Sequence, residues 1–146
     1  MGIAMCWFRK DLRLADNPAW ANACDEGHVL PVFVIEPSMV NAASIRKREL
    51  FYSHLIALKE QIVALGGNLL IVEGPAQKTV PKLVREYGVD SLHFNNDSSP
   101  NSRVRDEQAV SLAGIRAVRY WGNLVHAPGS ILTNTGSVHK VFAPFY

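Results

Sequence analysis

Charged and polar side chains cluster in the short loops that follow the apolar segments of this sequence. Residues 9–13 read RKDLR, and the loops after the second and fourth apolar segments carry Glu36 and Asp97. Three cations beside a carboxylate suit the recognition of an anionic or polar planar ligand. A short run of charge is also typical of a solvated loop, so both interpretations stay open on these residues alone.

Several kinds of catalytic or cofactor site are not supported by the sequence. Residues 9–13 contain none of the glycines with which a dinucleotide-binding loop approaches a pyrophosphate, and no GxxxxGK[ST] phosphate loop occurs. The five histidines lack metal-ligand spacing, no CxxC accompanies them, and there is no GxSxG elbow. Asp106 and Glu107 are neighbours in a predicted helix, where adjacent side chains diverge, so we expect them to face solvent rather than to form an acid/base pair.

Five short apolar runs, alternating with amphipathic segments, must position these loops. They span residues 3–8, 29–35, 68–72, 91–95 and 115–121. The first three are nearly continuous in hydrophobic side chains, as in parallel strands covered on both faces. The order β-α-β-α-β-α-β-α-β predicts an α/β fold with an open five-stranded parallel sheet, Rossmann-like, and helices on both faces. Ligands of such sheets bind beyond the carboxyl ends of the strands, where the charged loops lie.

Start and stop signals punctuate the helical segments. Asn17 precedes Pro18, which places a capping side chain before a proline at the first helical position. Residues 44–65 carry an apolar stripe at i, i+4 and i+7 spacing and are followed by two glycines. Residues 80–87 repeat the pattern, and residues 99–114 form a last helix with a weaker stripe.

The chain is expected to divide into a sheet domain, residues 1–121, and an irregular extension of the same domain, residues 122–146. The extension is rich in Gly, Pro, Ser, Thr and Asn, and residues 134–136 suit the turn of a short hairpin. Residues 141–146 are apolar and aromatic without a closing element, which is typical of a chain that continues into another domain.

Composition indicates a globular domain of mild charge. The 146 residues carry 15 Lys+Arg and 13 Asp+Glu, a net charge of +2, so charge alone does not indicate nucleic-acid binding. No apolar run is long enough to span a membrane, and no secretion signal is visible. Cys6 and Cys24 are expected to be buried thiols of a reducing compartment. We therefore expect a cytoplasmic domain without membrane contact.

Residues 7–19, WFRKDLRLADNPA, resemble the N-terminal signature of the DNA photolyase/cryptochrome family, W-[FY]-R-[RK]-D-L-R-[LI]-x-D-N-x-A, at every fixed position. Residues 95–97 with 103–106 resemble the family's N-x-D followed by R-x-R-D. Residues 131–145 resemble the element that closes its α/β domain, although residues 139, 140 and 143 depart from the usual pattern. The resemblance covers essentially the whole chain but only the first of the family's two domains.

The resemblance implies an antenna-chromophore domain, most like that of a deoxyribodipyrimidine photolyase. The parent protein would repair UV-induced pyrimidine dimers in DNA by light-driven electron transfer from reduced FAD. FAD, the DNA groove and the electron-transfer tryptophans would belong to a helical domain that is absent from this chain. That helical FAD-binding domain, and damaged DNA through it, are the implied partners. We expect no catalytic residue in this chain and no repair by it alone.

The family's antenna contacts carry over by position onto six residues: Arg9, Lys10, Asp11, Glu36, Arg46 and Asp97. The first three would line the chromophore, Glu36 would close one side, Arg46 would reach its polar tail and Asp97 would hydrogen-bond its ring. Relatives with a folate antenna have Asn-Glu near the start of the helix after the fourth strand, where this sequence reads NS at 101–102. The resemblance therefore favours a deazaflavin or flavin antenna over folate.

Structural roles for the same signature residues stay open. Asn17 can cap a helix, and Asp11 or Arg13 can tie loops together. Arg103, Arg105 and Asp106 can form an ion-pair set or part of the interface with the helical domain. A cryptochrome photoreceptor is the nearest alternative function. A nucleotide-binding stress-type module would need a glycine-rich loop after the fourth strand, and residues 96–100 contain no glycine. An interaction module that has lost chromophore binding is the third alternative.

Overall fold

Residues 2–138, the part of the chain that this computed structural model describes, form five strands that alternate with helices. The elements are β1 (Ile3–Phe8), α1 (Pro18–Asp25), β2 (His28–Ile35), α2 (Pro37–Asn41), α3 (Ile45–Ala64), β3 (Leu70–Glu73), α4 (Ala76–Tyr87), β4 (Ser91–Asn95), α5 (Pro100–Ala113) and β5 (Arg116–Tyr120). The five predicted strands are confirmed, with bounds that shift by at most two residues.

The strands form one sheet in the order β3-β2-β1-β4-β5, and every pairing in it is parallel. The chain therefore winds outward from β1 to β3 and returns to the other side of β1 with β4. The loops after β1 and β4 separate to opposite faces at this reversal, which leaves a crevice at the carboxyl ends of the two strands. The predicted α/β class and sheet are confirmed.

Two hydrophobic layers cover the sheet because successive residues of a strand point to opposite faces. Met5 and Trp7 of β1 pack with the apolar residues of α4 and α5. Cys6 and Phe8 belong to the other layer, with Ala23 of α1 and the buried side chains of α3. Apolar runs without polar alternation are the consequence of this burial on both faces.

Capping side chains begin α1 and α5, whereas α2 and α4 start without one. Asn17 Oδ1 accepts the backbone N–H of Trp20 over 3.2 Å and so caps α1. Ser99 Oγ caps α5 in the same way, accepting the N–H of Ser102 at 3.3 Å. Gly114, with φ of 66°, ends α5 in the left-handed conformation that a glycine adopts without strain.

Two local expectations differ from the structure. Residues 37–41 follow β2 as a short helix rather than as a loop, with Pro37 at its first position. Cys24 is exposed, whereas Cys6 is buried as predicted. The buried face of α1 is set by Ala19 and Ala23, and Cys24 lies about 100° around the helix from Ala23.

The predicted hairpin turn is present in the extension that follows β5. Leu132 and Val138 form an isolated antiparallel bridge, and Gly136 N–H donates to the Thr133 carbonyl over 2.9 Å. The remainder of the motif that resembles the family's closing element, residues 139–145, lies outside the described residues. Within residues 2–138 no helix combines the length and hydropathy that a membrane crossing requires.

Candidate functional site

Two adjoining cavities open at the carboxyl ends of the strands, around the crevice between β1 and β4. The strand-end cleft, about 370 Å³, is bordered by the loops after β1, β2 and β4 and by the first turns of α4 and α5. The helix pocket, about 450 Å³, is bordered by the β1 loop, α2 and the first half of α3. Arg9, Lys10 and Met39 line both cavities, so one elongated ligand can extend across them.

Arg9 is held inside the fold. Its guanidinium carbon lies 4.9 Å from the ring centroids of both Trp7 and Phe94. The same group pairs with the buried carboxylate of Asp106 and donates to the carbonyl of Asn95. Because its charge is already compensated, Arg9 supplies a fixed wall that both cavities share rather than a free cation.

Asp106 is buried, so the expectation that it faces solvent is wrong. Burial of this carboxylate is compensated by Arg9 and by Arg105, whose Nη2 lies 3.1 Å from Asp106 Oδ1. Glu107 is exposed as predicted and pairs with Arg119 at 2.5 Å. Of the predicted ion-pair set, Arg105 and Asp106 pair with each other, whereas Arg103 forms no ion pair among the described residues.

Asp11 lies beneath the cavities, in a buried polar network. Its Oδ1 accepts the backbone N–H of Arg9 at 2.8 Å, and its Oδ2 accepts the Asn95 side-chain amide at 2.5 Å. That amide also donates to Asn17 Oδ1 at 2.8 Å, which links the cap of α1 to the end of β4. Asp11, Asn17 and Asn95 therefore fix the loop that presents Arg9 and Lys10.

Glu36 closes the far side of the strand-end cleft. Its Oε1 accepts the first backbone N–H of α4, that of Ala76, at 3.1 Å. Its Oε2 lies 3.6 Å from Arg105 Nη1. A carboxylate at this helix N-terminus satisfies an otherwise unpaired donor and is favoured by the helix dipole.

Lys10 and Asp97 join the loops after β1 and β4 by an ion pair of 2.9 Å, directly across the sheet reversal. Burial alone would raise the pKa of Asp97, but the Ser99 N–H, Lys10 and the Ser102 hydroxyl together lower that pKa to about 2. Asp97 is therefore ionised at neutral pH and presents acceptor oxygens to the cleft.

The helix pocket has a different electrostatic character. Its lining includes four cations, Arg9, Lys10, Arg13 and Lys47, and no carboxylate. Leu50 and Phe51 supply apolar wall from α3. The structure places Arg46 on the exposed surface, outside the linings of both cavities, whereas Lys47 lies in the pocket. One residue corresponds to about 100° of helix rotation, which accounts for the difference.

Four of the six predicted site residues, Arg9, Lys10, Glu36 and Asp97, line the strand-end cleft together. Met39, Lys47 and Phe51 also line these cavities and were not predicted from the sequence. Met39 lies on the unpredicted helix α2, although Pro37 before it is a recognisable start signal. Phe51 belongs to the predicted apolar stripe of α3, and its place at the pocket end of that stripe depends on how the helix crosses the sheet.

A larger cavity, about 770 Å³, lies elsewhere. It is bordered by the start of α1 and by the segment after β5, including Arg13, Trp121 and Val125. Arg13 crosses one side of it and donates to the Gly122 carbonyl over 2.6 Å. Neither Lys10 nor Asp97 lines this cavity, whereas Arg13 borders both it and the helix pocket.

The arrangement suits the binding of a ligand. Among residues 2–138 no group of three or more His, Cys, Asp or Glu side chains is placed to hold a metal ion. The cleft offers carboxylate and hydroxyl acceptors, the pocket offers cations, and Met39 and Phe51 offer apolar contact. Such a set suits a planar polar molecule with an anionic tail.

Residues 4–146 match the family model described as DNA photolyase. The deoxyribodipyrimidine photo-lyase of Synechococcus sp. PCC 6301 is 32% identical and aligns with 96% of this chain, which covers 30% of that relative. The deoxyribodipyrimidine photo-lyase of Agrobacterium fabrum shows the same identity and the same two coverages. The chain thus spans about a third of the length of the curated relatives it matches.

Solved structures agree with the sequence comparisons. A class III photolyase from Agrobacterium tumefaciens matches 99% of this chain with a TM-score of 0.85 and 31% identity, and 31% of that protein is covered. An archaeal photolyase from Sulfolobus tokodaii, described with two FAD molecules, matches 90% with a TM-score of 0.81 and 29% identity, and 32% of it is covered. A Synechocystis cryptochrome, at 20% identity and a TM-score of 0.72, shares the fold. By the extent of the family match, this chain belongs to the DNA photolyase family.

Proposed function

We propose that this chain is the light-harvesting domain of a deoxyribodipyrimidine photolyase and that it binds a flavin or deazaflavin antenna across the strand-end cleft and the helix pocket. The bound antenna would absorb near-UV or blue light and pass the energy on. In the full-length protein, a helical domain would hold FAD, bind damaged DNA and repair pyrimidine dimers. The juxtaposition of an acceptor-lined cleft and a cationic pocket at the β1/β4 crevice carries the proposal.

Size supports an occupant that uses both cavities. Volumes of about 370 and 450 Å³ each fall near the lower end of the range for small-molecule sites, and together they suit a tricyclic ring with a tail. Met39, which borders both, provides a polarisable thioether that adapts to an aromatic face.

The charged residues that line the two cavities determine the orientation of the proposed ligand. Helix N-termini attract phosphate, but Glu36 and Asp97 already occupy the starts of α4 and α5. An anionic tail placed there would face two carboxylates. It is instead favoured in the helix pocket, where Lys47 and Arg13 belong to a lining without carboxylates. The ring then lies in the strand-end cleft.

Asp97 and Ser102 would set the contacts to the ring. The Asp97 carboxylate is ionised and accepts from a ring N–H or from hydroxyl groups next to the ring. Ser102 stands where relatives with a folate antenna have glutamate, and its hydroxyl lies 3.1 Å from Asp97 Oδ2. A flavin-type ring therefore remains favoured over folate. The Sulfolobus relative, whose description names two FAD molecules and a novel light-harvesting cofactor, supports the same class.

Two predicted contacts take different roles in this proposal. Lys47 replaces Arg46 as the cation for the tail, because Lys47 lines the pocket. Asp11 acts beneath the ligand by fixing the backbone of Arg9. A photolyase is favoured over a cryptochrome because two relatives at 32% identity are named deoxyribodipyrimidine photo-lyase, whereas the cryptochrome likeness extends to the fold alone.

Titration of the 146-residue chain with flavin mononucleotide, riboflavin, a deazaflavin and a folate tests the proposal. Wild-type protein is expected to bind the flavin-type ligands more tightly than folate. Lys47→Gln should weaken binding of the phosphorylated flavin at least tenfold and leave riboflavin nearly unchanged, because riboflavin lacks the anionic tail. The matched control is Lys82→Gln on the exposed surface of α4. Binding of none of the four ligands would contradict the proposal.

A further inference from the structure

Tyr120 and His93 form a hydrogen-bonded pair inside the fold, and neither residue lines the cavities described above. They lie on the neighbouring strands β5 and β4, and Tyr120 belongs to the hydrophobic layer that packs on α1 and α3. The two rings are stacked with an interplanar angle of 13°. The Tyr120 hydroxyl lies 3.0 Å from His93 Nδ1, and His93 is only 1% exposed.

The hydrogen bonds of Glu26 determine which nitrogen of His93 carries hydrogen. Glu26 Oε1 lies 3.2 Å from His93 Nε2. Hydrogen bonds from Ser91 and Arg116 lower the pKa of Glu26 to about 2, so this carboxylate is ionised at neutral pH and only accepts. The Ser91 hydroxyl also lies 3.2 Å from Nε2, but it donates its own hydrogen to Glu26 over 2.5 Å. In the neutral ring the hydrogen therefore lies on Nε2, and Nδ1 accepts from the Tyr120 hydroxyl.

We infer that Tyr120 is a redox-active tyrosine, a one-electron donor to a light-excited flavin. In this step Tyr120 gives one electron to the flavin and its hydroxyl proton to His93 Nδ1. The products are a neutral tyrosyl radical, a His93 imidazolium and a flavin reduced by one electron. Each hydrogen of the imidazolium then faces an acceptor, because Nδ1–H faces the phenoxyl oxygen and Nε2–H faces Glu26.

The surroundings favour loss of the proton together with the electron. A phenol that loses only its electron becomes a cation, and an uncompensated charge is costly inside a protein. Burial and the nearby Glu26 carboxylate raise the pKa of Tyr120, and Arg116 offsets this shift only in part. The hydroxyl is therefore protonated at neutral pH and has a proton to give. A carboxylate stabilises an imidazolium that forms beside it, and Glu26 occupies that position next to Nε2.

The proton acceptor distinguishes Tyr120 from the other tyrosines of residues 2–138. Tyr52 and Tyr87 are 36% and 40% exposed, and neither hydroxyl lies within hydrogen-bond distance of a histidine in this part of the chain. Tyr120 is also near the crevice, since it pairs with Asn95 at the end of β4. A flavin bound there would be one source of the oxidant. The inference does not depend on that binding site, because a dissolved flavin supplies the same oxidant.

Blue illumination of the 146-residue chain with dissolved flavin mononucleotide, followed by rapid freezing and electron paramagnetic resonance, tests the inference. Wild-type protein is expected to trap a tyrosyl radical. Tyr120→Phe should reduce the tyrosyl signal by about fivefold or more, because phenylalanine lacks the hydroxyl. Tyr87→Phe is the matched control and should leave the signal unchanged. His93→Asn should reduce it as much as Tyr120→Phe, because an amide oxygen accepts a hydrogen bond but takes up no proton at neutral pH.

Electron–nuclear double resonance of the wild type distinguishes a proton-accepting His93 from one that only holds Tyr120 in place. The radical is expected to couple to one exchangeable hydrogen-bonded proton, that of Nδ1–H, and this coupling should disappear in heavy water. This measurement needs no variant, and circular dichroism verifies that each variant is folded.

Absence of a tyrosyl radical in the wild type, or a radical without an exchangeable coupling, would overturn the inference. A signal that persists in folded Tyr120→Phe or His93→Asn would overturn it as well. Because the flavin is dissolved, formation of this radical and binding of flavin in the titration above are separate outcomes.

Discussion

The side-chain amide of Asn95 donates a hydrogen bond of 2.5 Å to the carboxylate of Asp11, 84 positions earlier in the chain. This contact joins the end of β4 to the loop after β1 underneath the crevice at the sheet reversal. It is buried, so both groups would lose solvation without regaining a partner if the contact were broken. The residues that face the proposed ligand lie beside these two anchored positions: Lys10 immediately precedes Asp11, and Asp97 is two residues after Asn95.

Asp11→Asn should therefore destabilise the domain. The change replaces one of the two carboxylate oxygens by an NH2 group, which then faces either the Arg9 N–H or the Asn95 amide, both of them donors. We expect the free energy of unfolding to fall by about 2 kcal/mol, measured by urea denaturation. Asp25→Asn, on the exposed end of α1, is the matched control. Equal stability of the two variants would show that the network is not required.

Gly122→Ala should disturb the same network from above. A methyl group at Gly122 would lie 2.7 Å from Asn95 Cγ and 2.8 Å from Pro18 Cδ, inside contact distance. We expect a loss of about 1–3 kcal/mol in the free energy of unfolding, since a buried side chain has little room to shift. Gly67→Ala, whose nearest contact would be Ile62 Cγ2 at 3.3 Å, should cost less. If Gly122→Ala left the free energy of unfolding unchanged, the close packing around Gly122 would be contradicted.

Acid should weaken the domain partly through Glu26, at the opposite end of the sheet. Hydrogen bonds from Ser91 and Arg116, with His93 close by, lower the pKa of Glu26 from 4.5 to about 2. The stabilisation from ionised Glu26 is therefore complete above pH 4.5 and is lost as the pH falls towards 2. Unfolding of Glu26→Gln and wild type should differ at neutral pH and converge near pH 2. A difference in stability that does not change with pH would show that protonation of Glu26 does not contribute to the loss of stability in acid.

Removal of Lys10 should shift the titration of Asp97. Burial raises the pKa of Asp97, and the Ser99 N–H, Lys10 and Ser102 lower it to about 2. In Lys10→Met only part of that stabilisation is left, so the pKa should rise towards 3.8. Carboxyl-carbon NMR of the two proteins measures the change. An unaltered pKa would mean that the ion pair across the crevice is not populated in solution.

The fold was accessible from the sequence because its determinants are local and repeated. Uninterrupted apolar strands, the Asn17 cap and the terminating glycines each indicate the same alternation of strands and helices. Parallel order then places the strand-end loops together, which is why Lys10 and Asp97 could be associated from 87 positions apart. Helix α2 was missed because five residues are too few to display a helical period.

The finer features of the site depend on helix rotation and on burial. Lys47 rather than Arg46 lines the helix pocket because one position changes the direction of a side chain by about 100°. Asp106 looks solvent-facing as one of two adjacent carboxylates, yet Arg9 from a distant loop makes its burial possible. Neither the direction of the Lys47 side chain nor the ion pair between Arg9 and Asp106 leaves a local signal in the sequence.

The central claim is that a flavin-type antenna binds at the β1/β4 crevice, and backbone amide NMR of the 146-residue chain with flavin mononucleotide tests it most directly. We predict that the ligand shifts the amides of Lys10, Met39, Lys47 and Ser102, which border the strand-end cleft and the helix pocket. The amide resonances of residues 123–125, beside the larger cavity after β5, should not shift. Shifts confined to residues 123–125, or no shifts at a saturating flavin concentration, would contradict the account.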